Sequence, residues 1–306
     1  MVSNRTFSFF AAILLVLTLI VSSCHKVERI VDFPIKEKTL VLNAYFTPDS
    51  AWVFYVSKSL PVIDNAELGY VNDATIKLIE ETDTIATLVN ANANDRYIIY
   101  SPKAKIGKKY SVEVSHPNYP TIYASDFLRS PVTHNLISYK LLDSSLYFDP
   151  YLGISRGNMK AEITIGIDDP KEEDNYYLFY IYYYDSTYGD VNRFRISDYD
   201  TKNPAVDEKY MKSYNGNALL FNDQLFNGRI YEITFRIEDY GYYTGKDYYF
   251  VLESMSRAKY LYERSYTLYL DMQSNPFSEP IQVFNNIKNG YGIFAGYSND
   301  VKIVVF

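Results

Sequence analysis

The sequence predicts a mainly β protein, and three observations support this fold class. Apolar and polar residues alternate with period two in many short segments after residue 37, as they do in strands with one buried face. The chain contains 33 Tyr and 18 Phe, and aromatic side chains favour strands. Apolar residues recur at clear helical spacing in one segment only. We therefore expect antiparallel β-sheets and one α-helix.

The N-terminus is predicted to be a signal peptide over residues 1–23. Arg5 precedes an apolar run over 7–21, which is too short for a membrane-spanning helix and typical of a secretory signal. The tetrad VSSC, which ends at Cys24, resembles the lipobox of bacterial lipoproteins. This resemblance implies cleavage before Cys24, a diacylglycerol on its thiol and a lipidated tether over 24–37. The alternative is an ordinary signal peptide followed by an unmodified cysteine.

Charge and cysteine content bear on the partners and on the source of stability. The formal net charge is −7 for the whole chain, and removing residues 1–23, which carry one positive charge, leaves −8. No basic patch dense enough to neutralise phosphates occurs, so nucleic acid is not an expected partner. Cys24 is the only cysteine, so an exported chain would have no internal disulfide and would depend on its core for stability.

Residues 38–130 are predicted to form an immunoglobulin-like β-sandwich. In KYSVEVSH, Tyr110, Val112 and Val114 alternate with polar residues, so one face is buried and the other is in water. Seven such strands in so short a stretch, separated by turns that contain Pro, Asn and Asp, are typical of this sandwich. The seven segments are LVLNAYF, WVFYVSKS, ATIKLIEE, TIATLV, YIIY, KYSVEVSH and TIYASDF.

Residues 131–306 are predicted to form a second, tyrosine-rich antiparallel β domain. The alternating pattern breaks up between Leu128 and Asn158, which places the domain boundary near 130–133. The irregular polar region over 186–216 is interpreted as a long hairpin or a functional loop. Strands are expected in KAEITIGI, NYYLFYIYYY, RIYEITFRIE, DYYFVLESMS and VKIVVF.

One helix is predicted over residues 257–272 of this second domain. Ser254 or Ser256 is available as its N-cap. The stripe of residues at helical spacing is expected to pack on a sheet, with a binding groove as the alternative. The stripe consists of Ala258, Leu261, Tyr262, Ser265, Leu268, Tyr269 and Met272.

The sequence offers little catalytic chemistry, so we expect no enzyme, no metal and no cofactor. None of the three histidines lies at ligand spacing from another, and neither HExxH nor GxSxG occurs. In GYGIFAG the glycines Gly290, Gly292 and Gly296 are interpreted as a tight turn beside aromatic side chains, because a strand rather than a helix follows them. A carboxylate pair of a glycoside hydrolase leaves no spacing signature, so that enzyme remains the residual alternative.

Three motifs resemble those of the Bacteroidetes outer-membrane lipoproteins grouped as domain of unknown function 4249. The motifs are LNAYFTPDSAWVFYVSKS, FNDQLFNG and the tail NPF, EP, NNIKNGYGIFAG. The resemblance implies a lipid-anchored outer-membrane protein, facing the cell exterior, that serves a TonB-dependent receptor as an accessory or interaction subunit. The alternative is a free-standing surface protein that binds or hydrolyses glycans or peptides.

The candidate interaction surface is drawn from exposed aromatic and arginine residues, which protein interfaces enrich. Arg193, Arg195 and Tyr199 lie in the irregular region, and Tyr291 and Phe294 flank the glycines of GYGIFAG. We expect these five side chains to be exposed and to contact a partner.

Overall fold

The computed structural model describes residues 37–60, 69–171, 173–185, 192–195, 198–206, 212–213, 216–243, 245–273 and 281–305. Side chains are not described at residues 185, 192–199, 212–217, 243 and 273. By its contacts, the stretch Lys38–Phe306 forms one compact unit. The predicted signal peptide and Cys24 lie outside the described residues.

The described residues are mainly β, as predicted, with eighteen strands and one helix. The elements are β1 (Leu40–Phe46), β2 (Trp52–Lys58), β3 (Thr75–Glu80), β4 (Asp83–Val89), β5 (Tyr97–Ile99), β6 (Lys109–His116), β7 (Tyr119–Phe127), β8 (His134–Asp149), β9 (Ile154–Asp168), β10 (Tyr176–Asp185), β11 (Asn192–Arg195), β12 (Asp198–Asp200), β13 (Lys212–Ser213), β14 (Gly216–Asn217), β15 (Leu219–Asn222), β16 (Ile230–Tyr243), β17 (Asp247–Met255), α1 (Arg257–Gln273) and β18 (Tyr291–Val305).

Three sheets carry the fold. A long sheet has the order β11-β10-β17-β18-β1-β2-β5, with β15 also paired to β10, and two four-stranded sheets have the orders β4-β3-β6-β7 and β12-β16-β9-β8. Phe294 of β18 belongs to the core shared with the first small sheet, and Val304 packs against the core shared with the second. Because alternate residues of a strand share a face, both small sheets cover the same face of the long sheet.

The first sandwich lies between the β4-β3-β6-β7 sheet and strands β1, β2, β5 and β18. Its core packs Phe46 against Trp52, with ring centroids 5.1 Å apart, and Phe46 against Phe294, 4.8 Å apart. All seven strands predicted in this part of the chain are confirmed. Their period-two patterns are clear because each strand buries one face only.

The second sandwich lies between the β12-β16-β9-β8 sheet and strands β10, β15 and β17. Buried isoleucines of β9 and β16 face Tyr177, Phe179 and Phe250 of the long sheet. The five strands predicted here are confirmed, and the residues of VKIVVF up to Val305 form the end of β18, in register with β17.

Strand β18 joins the two sandwiches. Its first half pairs in parallel with β1, from Val41↔Tyr291 to Phe46↔Gly296, and its second half pairs antiparallel with β17. The predicted boundary near residue 130 falls between β7 and β8, but the first sandwich also requires this strand from the far end of the chain. Sequence patterning identifies a strand without identifying its partner.

The helix α1 covers part of the other face of the long sheet. The Ser256 Oγ accepts a hydrogen bond of 3.1 Å from the Lys259 N–H, which confirms the predicted N-cap. Leu261 and Leu268 pack on the sheet as expected. Tyr269 and Met272 are exposed, so their predicted packing is wrong. The buried positions include Lys259, which a pattern based on hydrophobicity does not select.

Strand β8 occupies much of the stretch between Leu128 and Asn158, where the alternating pattern breaks up and no strand was predicted. It runs for 16 residues and forms a long hairpin with β9. Nearly all of its residues after Leu141 are exposed. A strand that is in water on both faces shows no alternation of apolar and polar residues, which explains why the pattern fails here.

Candidate interaction surfaces

The predicted interaction residues do not form one surface among the described side chains. Arg193 and Arg195 lie in β11 and Tyr199 lies in β12, but their side chains are outside the described set. Tyr291 is half exposed at the start of β18. Phe294 is fully buried in the first core, so its place on the predicted surface is wrong.

The glycines of GYGIFAG also have a role other than the predicted turn. Gly292 and Gly296 lie within β18, where the strand passes close to β1. Gly292 has a φ of +112°, and a Cβ there would lie 2.0 Å from the Leu42 carbonyl oxygen. A Cβ on Gly296 would lie 2.7 Å from the Phe46 ring. These glycines therefore permit close packing of β18, and Phe294 is carried into the core with them.

The asparagines of the tail motif hold β18 in place. Asn286 Nδ2 donates to the Phe294 carbonyl at 2.7 Å, and the Phe294 N–H donates to Asn286 Oδ1 at 3.0 Å. Asn285 Nδ2 donates to the Gly290 carbonyl at 3.0 Å. The side chain of Asn286 thus provides the backbone partners that a neighbouring strand would otherwise supply. The most specific motif of the sequence is structural.

The outer half of the β8–β9 hairpin carries a group of exposed apolar residues. Tyr147 is 58% exposed, Phe148 64% and Tyr151 97%, and Leu146 and Leu152 are also exposed. We call these five residues the hairpin tip. Large apolar side chains clustered at one exposed place mark interaction sites more often than single exposed ones do.

Asp149 organises the turn that presents the hairpin tip. Its Oδ1 accepts hydrogen bonds from the backbone N–H groups of Tyr151, at 3.0 Å, and Leu152, at 3.3 Å. Its carbonyl accepts the Gly153 N–H at 2.9 Å, and Gly153 has a φ of +68°. Tyr151 is therefore held outward by a hydrogen-bonded turn.

A second apolar surface lies where α1 does not cover the long sheet. Tyr182, Tyr249 and Ile303 form a row across β10, β17 and β18 by their register. The Tyr182 and Tyr249 rings stack with centroids 4.8 Å apart, and Ile303 is 60% exposed. We call this row, with Tyr184 and Val305, the tyrosine face. Its aromatic bodies with polar hydroxyls are typical of protein interfaces.

Two buried lysines in the second half of the chain are each paired with a buried carboxylate. Lys246 Nζ lies 2.8 Å from Asp239 Oδ2, and the Tyr248 hydroxyl donates to the same oxygen at 2.6 Å. Lys259 Nζ lies 2.6 Å from Glu253 Oε2. Burial alone would lower the pKa of Lys259, but the neighbouring Glu253 and Glu263 carboxylates raise it. Lys259 therefore stays charged, and both lysines are enclosed.

His134 pairs with a carboxylate as a catalytic base can, but no described hydroxyl hydrogen-bonds its ring. Its Nδ1 lies 2.8 Å from Asp300 Oδ2, and burial lowers the pKa of the imidazole. The side chain is fully buried, and no described group hydrogen-bonds its Nε2. A dyad that substrate cannot reach and that activates no hydroxyl is a structural pair.

The described residues contain no group of three or more His, Cys, Asp or Glu arranged to hold a metal ion.

An open polar groove of about 400 Å³ lies on the outer face of the second sandwich, and Glu162, Asp200, Asn203, Glu232 and Arg236 contribute to its lining. In that groove Arg236 binds Glu162 through two hydrogen bonds of 3.0 and 3.1 Å.

Among the described helical residues, none provides a helix long and apolar enough to cross a membrane.

Comparison with curated proteins finds no match. Comparison with solved structures finds 21 matching chains, among them the three N-terminal domains of the highly immunogenic outer capsid protein (Hoc) of bacteriophage RB49, at 10% sequence identity and a TM-score of 0.21. That match covers 72% of this chain and 64% of the phage chain, so this chain spans less than two thirds of it. At this score the likeness supports no argument about fold or function.

Comparison with protein families matches residues 28–303 to the family described as "Domain of unknown function (DUF4249)". The matched stretch contains both sandwiches, the hairpin tip and most of β18. Since it extends over most of the sequence, the chain belongs to the DUF4249 family.

Proposed function

We propose that this protein is a non-catalytic interaction subunit of an envelope complex. In this proposal it is an outer-membrane lipoprotein, anchored through Cys24 and facing the cell exterior, that docks on a TonB-dependent receptor or a similar assembly. The observation that carries the proposal is the hairpin tip, an exposed apolar cluster on a long two-stranded projection. An immunoglobulin-like topology of the first sandwich is part of the same proposal, because such domains position or bind more often than they catalyse.

The hairpin tip has the physical properties of a binding anchor. Tyrosine and phenylalanine supply large contact area, and tyrosine is enriched among the residues that dominate binding energies. The turn at Asp149 orders Tyr151 before any partner arrives, which lowers the entropy lost on binding. A projecting hairpin reaches a concave partner surface that a flat sheet cannot enter.

A lipid anchor would strengthen such docking without adding contacts. Two or more acyl chains attach a protein durably to a membrane. Confinement to the membrane raises the effective concentration of one partner near another, so an interface of modest affinity becomes occupied.

The alternative function is that of a free-standing surface protein that binds glycans or peptides. The polar groove beside Asp200 and Glu232 is the observation that favours it. Carboxylate, amide and guanidinium groups in an open groove are suited to hydroxyl-rich ligands. The groove lacks a described exposed aromatic ring in its lining, on which a sugar would stack.

The docking proposal predicts that the hairpin tip is required for recovery of a partner. Full-length tagged protein is extracted from membranes in mild detergent, purified and analysed by mass spectrometry. We expect a receptor barrel in stoichiometric amount with the wild type. Replacing both Phe148 and Tyr151 with Ser should weaken the affinity for the receptor at least about 30-fold and reduce its recovery, because one such anchor alone contributes about 2 kcal/mol or more.

Ile230→Ser is the matched control, since Ile230 is 73% exposed at the start of β16 and lies outside the hairpin tip. This variant should recover the partner as well as the wild type does. Equal recovery by the tip variant would overturn the role of the hairpin. Recovery of the protein alone, with saturable binding to a polysaccharide that Glu232→Gln weakens, would favour the alternative function.

The anchor is tested separately by Cys24→Ala. We expect this variant to be released from membranes or to remain as uncut precursor, because the thiol that would receive the lipid is gone. Fractionation followed by mass measurement of the protein checks this. A mature-sized Cys24→Ala protein that stays with the membranes would contradict the anchor.

A further inference from the structure

The last part of β18 is an open edge of the long sheet. Up to Gly296 the strand pairs with β1, which ends at Phe46, opposite Gly296. From Tyr297 to Val305, β17 is the only described strand that pairs with β18, and it lies on the other side. Alternate residues of this segment therefore direct their backbone N–H and C=O groups away from the sheet.

Several other described edges of the three sheets are protected against pairing with a further strand. The β8 edge is interrupted by register shifts near Leu136 and Leu141. The β7 edge is closed by reciprocal hydrogen bonds between Tyr123 and Lys288, of 3.1 and 2.7 Å. Strands β5, β11 and β12 are only three or four residues long. Bulges, covers and short edges are the usual means of preventing edge-to-edge association.

The open segment Val301–Val305 has none of these protections. It pairs with β17 without a register shift, and its sequence VKIVV contains four β-branched residues. Val301 is 44% exposed, Ile303 60% and Val305 58%, all on the side of the tyrosine face. Its one charge, on Lys302, lies 3.3 Å from Asp300 of the same strand. An unprotected edge of this composition is a template for strand addition.

We infer that Val301–Val305 pairs antiparallel with the same segment of a second copy of this chain, across a two-fold axis at Ile303. The long sheets of two molecules would then continue into one another through the paired β18 strands. Closed two-fold pairing is the commonest symmetry of protein oligomers and brings the same surface of both subunits together. This inference does not depend on the proposed function.

The register about Ile303 follows from the side chains. It places Val301 opposite Val305 and Ile303 opposite its own copy, and β-branched pairs stabilise antiparallel strands. It places Lys302 opposite Val304, so the two lysines do not face each other. A shift of one residue would put exposed side chains opposite half-buried ones, because successive residues point to opposite faces. The segment is thus complementary to itself in this register.

The experiment uses cysteine cross-linking of the full-length protein in detergent. The chain has a single cysteine, Cys24, so the wild type reports any cross-link that does not involve the edge. In Ile303→Cys the two new thiols would meet on the two-fold axis. A disulfide requires Cα atoms within about 7 Å, which directly opposite residues of paired strands satisfy. We expect a disulfide-linked dimer with this variant after mild oxidation and none with the wild type.

The register is tested by two further variants. Val301→Cys alone should not cross-link, since the two copies of residue 301 would be four residues, about 13 Å, apart along the strands. A mixture of Val301→Cys and Val305→Cys proteins that carry different tags should form the mixed dimer. Ile230→Cys, which is exposed and off the edge, controls for random collision.

A measurement without cysteines supports or overturns the same inference. The protein mass from light scattering should move towards twice the monomer value as the wild-type concentration rises. It should stay at the monomer value for Ile303→Lys with an unchanged melting temperature, because lysines would then face each other across the axis. A wild type that stays monomeric, a dimer that survives Ile303→Lys, or equal cross-linking of Val301→Cys and Ile303→Cys would each overturn the inference.

Discussion

The first sandwich buries aliphatic and aromatic side chains around Trp52, whereas the second encloses carboxylates and amines among its tyrosines. Among the described residues between Leu40 and Leu128, no buried one carries a charge. The described part of the second half of the chain buries six charged residues. They are Asp169, Asp223, Asp239, Lys246, Glu253 and Lys259.

The tyrosines explain this difference. A buried tyrosine hydroxyl needs an acceptor, and in the second sandwich carboxylates supply it. The Tyr177 hydroxyl donates to Asp169, and the Tyr248 hydroxyl donates to Asp239. In the first sandwich the Tyr97 hydroxyl instead donates to the Val71 carbonyl, at 2.8 Å, and the Tyr110 hydroxyl donates to the partly exposed Glu80 carboxylate, at 2.9 Å. A core built with tyrosine thus acquires buried carboxylates, and these require amines or backbone N–H groups in turn.

Of the variants that test this difference between the two sandwiches, Lys246→Met is expected to lose the most stability. The substitution leaves Asp239 buried without its cation, and breaking a buried pair in this way costs about 3–5 kcal/mol. Chemical denaturation, followed by circular dichroism, measures the loss in the free energy of unfolding. Adding Asp239→Asn to Lys246→Met should restore part of the stability, because the amide oxygen still accepts a hydrogen bond without a charge. A loss below about 1 kcal/mol for Lys246→Met would contradict the role of the pair.

A comparable or smaller effect is expected for Leu78→Ala in the first sandwich. Leu78 is fully buried in β3, and removing a buried leucine side chain costs about 2–5 kcal/mol through lost burial and the cavity left behind. The cavity contains no titrating group, so the loss should be the same at acidic and neutral pH. A loss that changes with pH would show that ionisable groups also contribute to this core.

The smallest effect concerns the pH dependence of the second sandwich. Burial raises the pKa of Asp223, and the nearby Asp169 raises it further. The folded state then binds this proton more tightly than the unfolded chain does, so this group favours folding increasingly as the pH falls through its raised pKa towards 3.8. Asp223→Asn resembles the protonated acid. We expect the variant to gain stability relative to wild type at neutral pH, and this gain to vanish below the unfolded pKa.

Thermal melts across this pH range provide the test. The Asn175 N–H donates to Asp223 Oδ2 at 2.8 Å, and an amide oxygen at that position preserves the bond. An Asp223→Asn variant that is less stable than wild type at neutral pH and equal to it in acid would show that the ionised carboxylate stabilises the fold.

Local sequence patterns predict the strands and the helix that bury one face, and they do not predict a strand that buries neither face. The seven strands from β1 to β7 and the N-cap at Ser256 follow from local patterns, because a buried face leaves its period in the sequence. Strand β8 has no such period because its outer half is in water. The parallel partner of β1 lies far along the chain, and no local pattern encodes that distance.

The candidate surface was predicted less well than the fold for a related reason. Phe294 has the composition of an anchor, but the glycines beside it bring β18 close to β1 and direct the ring into the core. The hairpin tip lies in LYFDPYL, which contains a signal that could have been used. Asp149-Pro150 marks a turn, and large apolar residues on both sides of an exposed turn are unusual.

The pairing of β1 with β18 also orders events during synthesis. Thr39 Oγ1 donates to the Asn289 carbonyl at 2.7 Å across 250 residues of sequence. Contacts of such separation slow folding, since the loop must close before they form. A nascent chain therefore leaves the ribosome with one side of its first sandwich open, and that sandwich closes only when β18 has emerged. For a chain that the proposed signal peptide directs across a membrane, this delay preserves the unfolded state until translocation.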